Sequence, residues 1–148
     1  MAISQLCRIL LGCALVTTWS TAHALTPPLE EAELRHAATV VAEGEVGGPL
    51  QCLGEIDTTA CGPKFKYMAP FTIRKILHGK AIRTTGTIYF YHVFYKDGCT
   101  GDQDATHYPG ERGVYYLRQV EGGGWHQVHW SGVTVTHEGH GTLPACPH

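Results

Sequence analysis

The sequence predicts a mainly β domain with one short helix near its start and two disulfides. Three observations carry this. Gly 18, Pro 8 and Tyr 7 in 148 residues describe a chain of many turns joined by short aromatic strands. Thr85 to Tyr95 alternates in a way that puts β-forming side chains on both faces of one strand. Four of the six cysteines lie beyond residue 24, an even number that reads as a disulfide framework in a small exported domain. Composition bounds the rest. With 43% hydrophobic and 16% charged residues the chain is apolar enough to build a core, which excludes a disordered protein. A net charge of -2 lacks the basic footprint of a nucleic-acid binder. No stretch reaches the roughly 18 apolar residues of a membrane span, and the length favours one domain.

The first segment reads as a targeting signal. Arg8 precedes the apolar run Ile9 to Val16, and Ala22-His23-Ala24 places small residues where a signal peptidase cuts. Residues 1–24 are therefore expected to be removed, leaving residues 25–148 as a single domain, secreted or periplasmic. Leu10-Leu11-Gly12-Cys13 resembles a lipoprotein box, but it follows Arg8 too closely for a normal apolar region. Ordinary secretion is the expectation.

Thr26 is placed to cap a helix that opens with Pro27 and Pro28, carries Glu30, Glu31 and Glu33 near its positive end, and stops near His36. Ala38 to Val46 reads as a strand with Gly44 as a bulge candidate, and Gly47-Gly48-Pro49 breaks it. Cys52 to Cys61 is expected to be a disulfide-closed loop. Of the three pairings open to four cysteines, Cys52–Cys61 and Cys99–Cys146 is the favoured one; chain entropy gives roughly 2.5–3 kcal/mol for the short loop and roughly 4 for the long one. Zinc is the alternative for Cys and His together, but no C-x-x-C pair occurs.

Phe65 to Leu77 is extended, with Pro70 forcing an edge or a kink, and His78-Gly79-Lys80 turns the chain. In Thr85 to Tyr95, Thr87, Tyr89, Tyr91, Val93 and Tyr95 share one face, and Ile88, Phe90, His92 and Phe94 share the other. This predicts a central strand covered on both sides. Lys96 to Arg112 is a long polar loop. Val114 to Val120, the turn Glu121-Gly122-Gly123-Gly124 and Trp125 to Trp130 form a hairpin, Val133 to Thr136 is a last strand, and the tail from Glu138 is irregular.

Four segments together resemble the oligonucleotide/oligosaccharide-binding barrel (OB-fold) of tissue inhibitors of metalloproteinases and netrin-type modules. They are Ala38 to Gly44, Phe71 to Lys80, Gly110 to Leu117 and Trp130-Ser131-Gly132. The resemblance implies a small five-stranded OB-like barrel. It does not carry the inhibitory mechanism, which needs a cysteine at the mature N-terminus to chelate zinc. Here that terminus is expected at Leu25, and the first cysteine after it is Cys52. Fold analogy alone licenses no function.

Histidine is the most overrepresented reactive residue, with nine of ten lying beyond residue 24. His126 and His129 sit in a strand pattern, where a spacing of three sends them to opposite faces. His137, Glu138 and His140 lie in a turn, where they are candidate ligands for zinc or copper. Solvated surface histidines are the simpler reading, because no third ligand is preorganised. Asp102 and Asp104 could place oxygens for calcium, or pair Asp104 with His107 for acid–base work, although Asx turns explain both aspartates. No serine lies in a G-x-S-x-G setting and the cysteines are expected to be oxidised, so no catalytic residue is assigned. Tyr89, Tyr91 and Tyr95 are candidates for a stacking platform. The expected function is a non-enzymatic exported binding domain for a protein or saccharide, without nucleic acid and without a transmembrane segment. The different-class expectation is a metal-binding protein or metal-dependent periplasmic enzyme built on the C-terminal histidines.

Overall fold

The computed structural model describes residues 26–99 and 105–147. The expected signal segment, the Leu25 terminus, Asp102 and Asp104 lie outside the described residues. Among the described residues no helix is long and apolar enough to cross a membrane.

The chain is mainly β. Helix α1 (Glu31–Ala37) precedes β1 (Val40–Val46), β2 (Gln51–Thr59), β3 (Gly62–Gly79), β4 (Thr85–Val93), β5 (Arg112–Gln119), β6 (Trp125–Gln127) and β7 (Val133–His137). The helix starts later than its expected cap. Thr26 is held elsewhere, its carbonyl accepting from Trp130 Nε1 at 3.1 Å, while Leu29 N–H donates to Ser131 Oγ at 3.1 Å. Those two bonds hold Thr26 and Leu29 against the Trp130–Ser131 bend, outside the helix. Glu30 becomes the N-cap instead, and Glu33 reaches back to accept its N–H at 3.0 Å.

Strand pairing runs β1–β3–β4–β6–β5 and returns to β1, a closed ring of five strands. All its pairings are antiparallel except β4–β6. β2 extends the sheet from β3, and β7 extends it from β5. Period two decides what faces inward. Val40, Ala42, Val46, Tyr67, Phe71, Ile88, Phe90, Tyr115, Leu117 and Trp125 form one buried cluster. Val41 and Tyr116 point the other way and are covered by Leu34 of α1, which gives a smaller second cluster. Gly44 faces inward, and the Phe71 ring fills the space its Cβ would need. The ladder shifts register beside it, between Glu43 and Gly44.

β3 is long enough to change partners. Its first half pairs with β2 as far as Met68, and its second half pairs with β1 from Phe71 onward. Pro70 sits at the changeover, where Gly47 N–H donates to its carbonyl at 2.7 Å. The N–H that proline lacks thus falls where β3 has no ladder partner on that side.

The disulfides correct the expected pairing. Cys52 bonds Cys146 with Cα atoms 5.2 Å apart, and Cys61 bonds Cys99 at 5.4 Å. The segment expected to be a closed loop is β2, paired to β3 over its length. Extended chain rises about 3.3 Å per residue, which carries Cys52 and Cys61 far beyond the ~7 Å a disulfide can bridge. β4 also differs from expectation. Ile88 and Phe90 are buried, but Tyr89 and Tyr91 are only half-buried, so one face is the core and the other is open.

The β5 assignment gives a direct test. Leu117 is 0% exposed inside the ring, whereas Arg118 is exposed and donates to Ala37 O at 3.3 Å. Leu117→Ala is expected to destabilise by about 2–5 kcal/mol through lost transfer energy plus a cavity. Arg118→Ala should change stability by no more than about 0.5 kcal/mol. Denaturant melts with the disulfides intact measure the contrast, and equal losses would overturn the facing of β5.

Candidate binding cleft

The open face of β3, β4 and β6 gathers the polar and aromatic side chains that alternation sends away from the core. On β4 these are Tyr89 and Tyr91, on β3 Lys64 and Lys66, and on β6 His126. Register brings them together: Lys66 lies opposite Tyr91, and Tyr89 opposite His126. The Tyr91 and His126 rings stack with centroids 5.5 Å apart and planes 9° from parallel, while Tyr89 meets His126 at 5.3 Å. From the other flank Lys64 Nζ lies 5.1 Å from the Tyr91 centroid and Lys66 Nζ 4.8 Å from that of Tyr89. A cleft of about 250 Å³ opens here, walled by Lys64, Tyr89, Tyr91, His126, His129 and Trp130.

Burial pushes the His126 imidazole below its ordinary value of 6.5, and the Lys66 ammonium adds to the effect; a hydrogen bond with the Tyr89 backbone opposes them. The sign for stability follows. At a pH below the unfolded value the unfolded chain takes up a proton that the folded one resists. Stability is therefore expected to fall as pH drops through about 6.5 and to level off below the folded value. His126→Gln removes this contribution. Parallel melts of the two proteins between pH 8 and pH 5 should show the wild type losing more than the variant, and parallel profiles would refute the assignment.

Behind the cleft wall lies a buried polar network. His107 is 1% exposed and Glu111 4%. His107 Nδ1 lies 2.7 Å from Glu111 Oε1, which also accepts from Tyr115 Oη at 2.7 Å. His107 Nε2 lies 2.9 Å from Gln127 Oε1. The protons can be placed by accounting. Gln127 Nε2 donates to the carbonyls of His129, at 2.6 Å, and Trp130, at 2.9 Å. Its oxygen must then face His107, so His107 Nε2 carries a hydrogen. Burial, followed by the charge and hydrogen bond of Glu111, pushes the Tyr115 hydroxyl far up, so it stays a donor. The network fixes the bend from His129 to Trp130, and with it one wall of the cleft.

His129 is fixed from the other side. Its Nδ1 accepts from Ser131 N–H at 3.3 Å and lies 2.8 Å from Ser131 Oγ. A neutral ring that accepts at Nδ1 carries its hydrogen on Nε2. That Nε2 is buried and has no hydrogen-bond partner among the described residues.

The expected site residues are only partly brought together. Tyr89 and Tyr91 share the cleft; Tyr95 lies beyond the end of β4, 41% exposed, outside the cleft lining. His107, expected beside Asp104 in a polar loop, is a core residue bonded to Glu111 and Gln127. His137, Glu138 and His140 are exposed, with His137 opposite Arg112 and His140 N–H donating to Pro109 O at 3.0 Å. Among the described residues no three His, Cys, Asp or Glu side chains converge as a metal site. The sequence reading missed Lys64, Lys66, Trp130, Glu111, Tyr115 and Gln127 as a group. Lys64 and Lys66 do carry a signal, since their period-two spacing matches that of Tyr89 and Tyr91. Pairing Phe65 to Leu77 with Thr85 to Tyr95 would have faced them.

No protein family, no characterised protein and no solved structure matches the chain.

Proposed function

We propose that this chain is an exported, non-enzymatic binding domain of OB-like architecture that takes a saccharide in the β3–β4–β6 cleft. The observation that carries the reading is the cleft itself. Two tyrosines on β4 and a tryptophan in the bend after β6 are combined there with lysine and histidine side chains, a mixture of ring surface, hydroxyls and polar groups suited to a ligand with both apolar patches and hydroxyls. Architecture supports it. OB-type barrels bind oligosaccharides on the face of their second and third strands. The second and third strands of the five-stranded ring are β3 and β4, the strands that display Lys64, Lys66, Tyr89 and Tyr91. Two disulfides and the Ala22-His23-Ala24 stretch support export, with cleavage before Leu25.

Calorimetric titration with a panel of neutral and acidic oligosaccharides tests the reading. Saturable binding is expected, weakened about tenfold or more by Tyr91→Ala, which is about 1.4 kcal/mol of binding energy. A panel in which nothing binds, or a Tyr91→Ala protein that binds like the wild type, would overturn it.

A further inference from the structure

We infer that the tip of the β3–β4 hairpin docks on an anionic phospholipid bilayer, Lys80 and Arg83 meeting headgroup phosphates while Ile76, Leu77 and Ile82 enter the interface. Charge is segregated along this chain. Its net charge is -2, yet the stretch from Thr58 to Lys96 holds seven of the eleven Lys and Arg residues and no Asp or Glu. β1 answers part of that positive charge: Arg74 bridges Glu45 at 2.8 Å, and Lys75 approaches Glu43 at 3.9 Å. Lys80 and Arg83, just beyond β3, have no ion-pair partner among the described residues. Glu121 lines a groove with Ile82 and Arg83 but makes no bridge to that guanidinium. Carboxylates outside the described residues do not reach this tip. Residues 1–25 contain none. Asp102 and Asp104 are within about 11 Å of chain from Cys99 or Ala105. Those two are held at the start of the 18-residue β3, Cys99 by its bond to Cys61 and Ala105 beside Lys64 and Tyr91.

The tip is apolar as well as basic. Gly79 turns the chain at φ +77, where a Cβ would strike the Thr39 carbonyl. Ala81 then packs against the core, and its neighbour Ile82 is left outside, 83% exposed. Ile76 and Leu77, near the end of β3, are exposed too. Single exposed aliphatics are ordinary, but three within seven residues, interleaved with cations, make the composition of a membrane-interface element. An acidic protein surface would answer the cations and leave the aliphatics in water. A bilayer interface answers both, with phosphates above acyl chains. Cations alone are screened by salt and one aliphatic alone holds weakly, so both parts are needed together. The surface is separate from the saccharide cleft, which lies towards the other end of β3 around Lys64 and Tyr91.

The test sediments the oxidised wild-type protein with vesicles of equimolar phosphatidylglycerol and phosphatidylcholine, and with vesicles of phosphatidylcholine alone, at low and high salt. The mixed vesicles are expected to bind about tenfold or more tighter, and added salt should erode the difference. Ile82→Ser should weaken that binding about tenfold. Lys80→Gln/Arg83→Gln should weaken it about fivefold per cation and flatten the salt dependence. All three positions are exposed, so both variants should fold. Tyr91→Ala is expected to bind vesicles like the wild type. Several results would overturn the inference. Equal binding to both vesicle types, or none to either, removes the anionic bilayer as partner. Undiminished binding by Ile82→Ser, or equally tight binding of soluble polyglutamate, points to an acidic macromolecule instead. Self-association that Ile82→Ser abolishes, read by light scattering, assigns the patch to a second copy of the chain. Loss of vesicle binding in Tyr91→Ala moves the contact to the cleft.

Discussion

Glu111→Ala is expected to destabilise the protein by about 3–5 kcal/mol, the range for breaking a buried polar pair by deleting one partner. Two groups depend on this carboxylate. Glu111 Oε1 takes the Tyr115 hydroxyl and sits against His107 Nδ1, both at 2.7 Å. Tyr115 is 0% exposed and His107 1%, so neither can turn to water when the acid is removed. Unsatisfied buried polar atoms are worth about 1–3 kcal/mol each, and the cavity adds to that. Glu111→Gln should lose less. Its amide oxygen, standing where Glu111 Oε1 stands, can still accept from the Tyr115 hydroxyl. Urea melts of the two variants with disulfides intact check the order. If Glu111→Ala lost less than about 1 kcal/mol, the network would not be the closed, dry unit that its distances describe.

That network also marks the limit of what the sequence could reveal. Alternation was legible: Ile88 and Phe90 against Tyr89 and Tyr91, and Leu117 against Arg118, fall on the faces that period two assigns. Those assignments need only neighbours along one strand. His107, Glu111 and Tyr115 follow one another at intervals of four residues, from a loop into β5, whereas Gln127 reaches His107 only because β5 pairs β6 with Leu117 opposite Gln127. No local spacing encodes that meeting. His107 consequently looked like a loop residue among aspartates. β2 was missed for a related reason. Gln51 to Thr59 mixes glycine, acidic residues and threonine, a turn-like composition, and β3 holds it through two register shifts. Pairing with a long neighbour overrode weak intrinsic preference. The cleft was half legible, since Tyr89 and Tyr91 share a face in any register, whereas Lys64, His126 and Trp130 join them only through the ring.

Once β2 is a strand, the covalent framework changes, and so does the expected effect of breaking it. Cys52→Ala/Cys146→Ala opens a crosslink between residues 94 apart in sequence. Chain entropy assigns such a loop about 4.7 kcal/mol, against about 3.9 for the Cys61–Cys99 loop, whose separation is 38. The difference should be wider in practice because of what each bond holds. Beyond β7 the tail has no strand. Leu143 and Cys146 pack on the main core, and Tyr67 Oη reaches Pro144 O at 3.5 Å, a marginal bond. The crosslink is the strong anchor among these contacts. Without it the tail can lift from the core, opening the ring beside Tyr67, which is 0% exposed in the intact protein. A small domain holds a total of about 5–15 kcal/mol. The Cys52→Ala/Cys146→Ala protein should therefore be marginal at 25 °C, and the Cys61→Ala/Cys99→Ala protein clearly folded. Guanidinium melts of both, read by tryptophan fluorescence, give the ranking, and non-reducing peptide maps of the wild type verify the bonds. A reversed ranking would mean that the tail adds nothing to the core. A Cys52–Cys61 peptide in the map would contradict the β2–β3 pairing itself, because an extended β2 holds those two residues too far apart to bond.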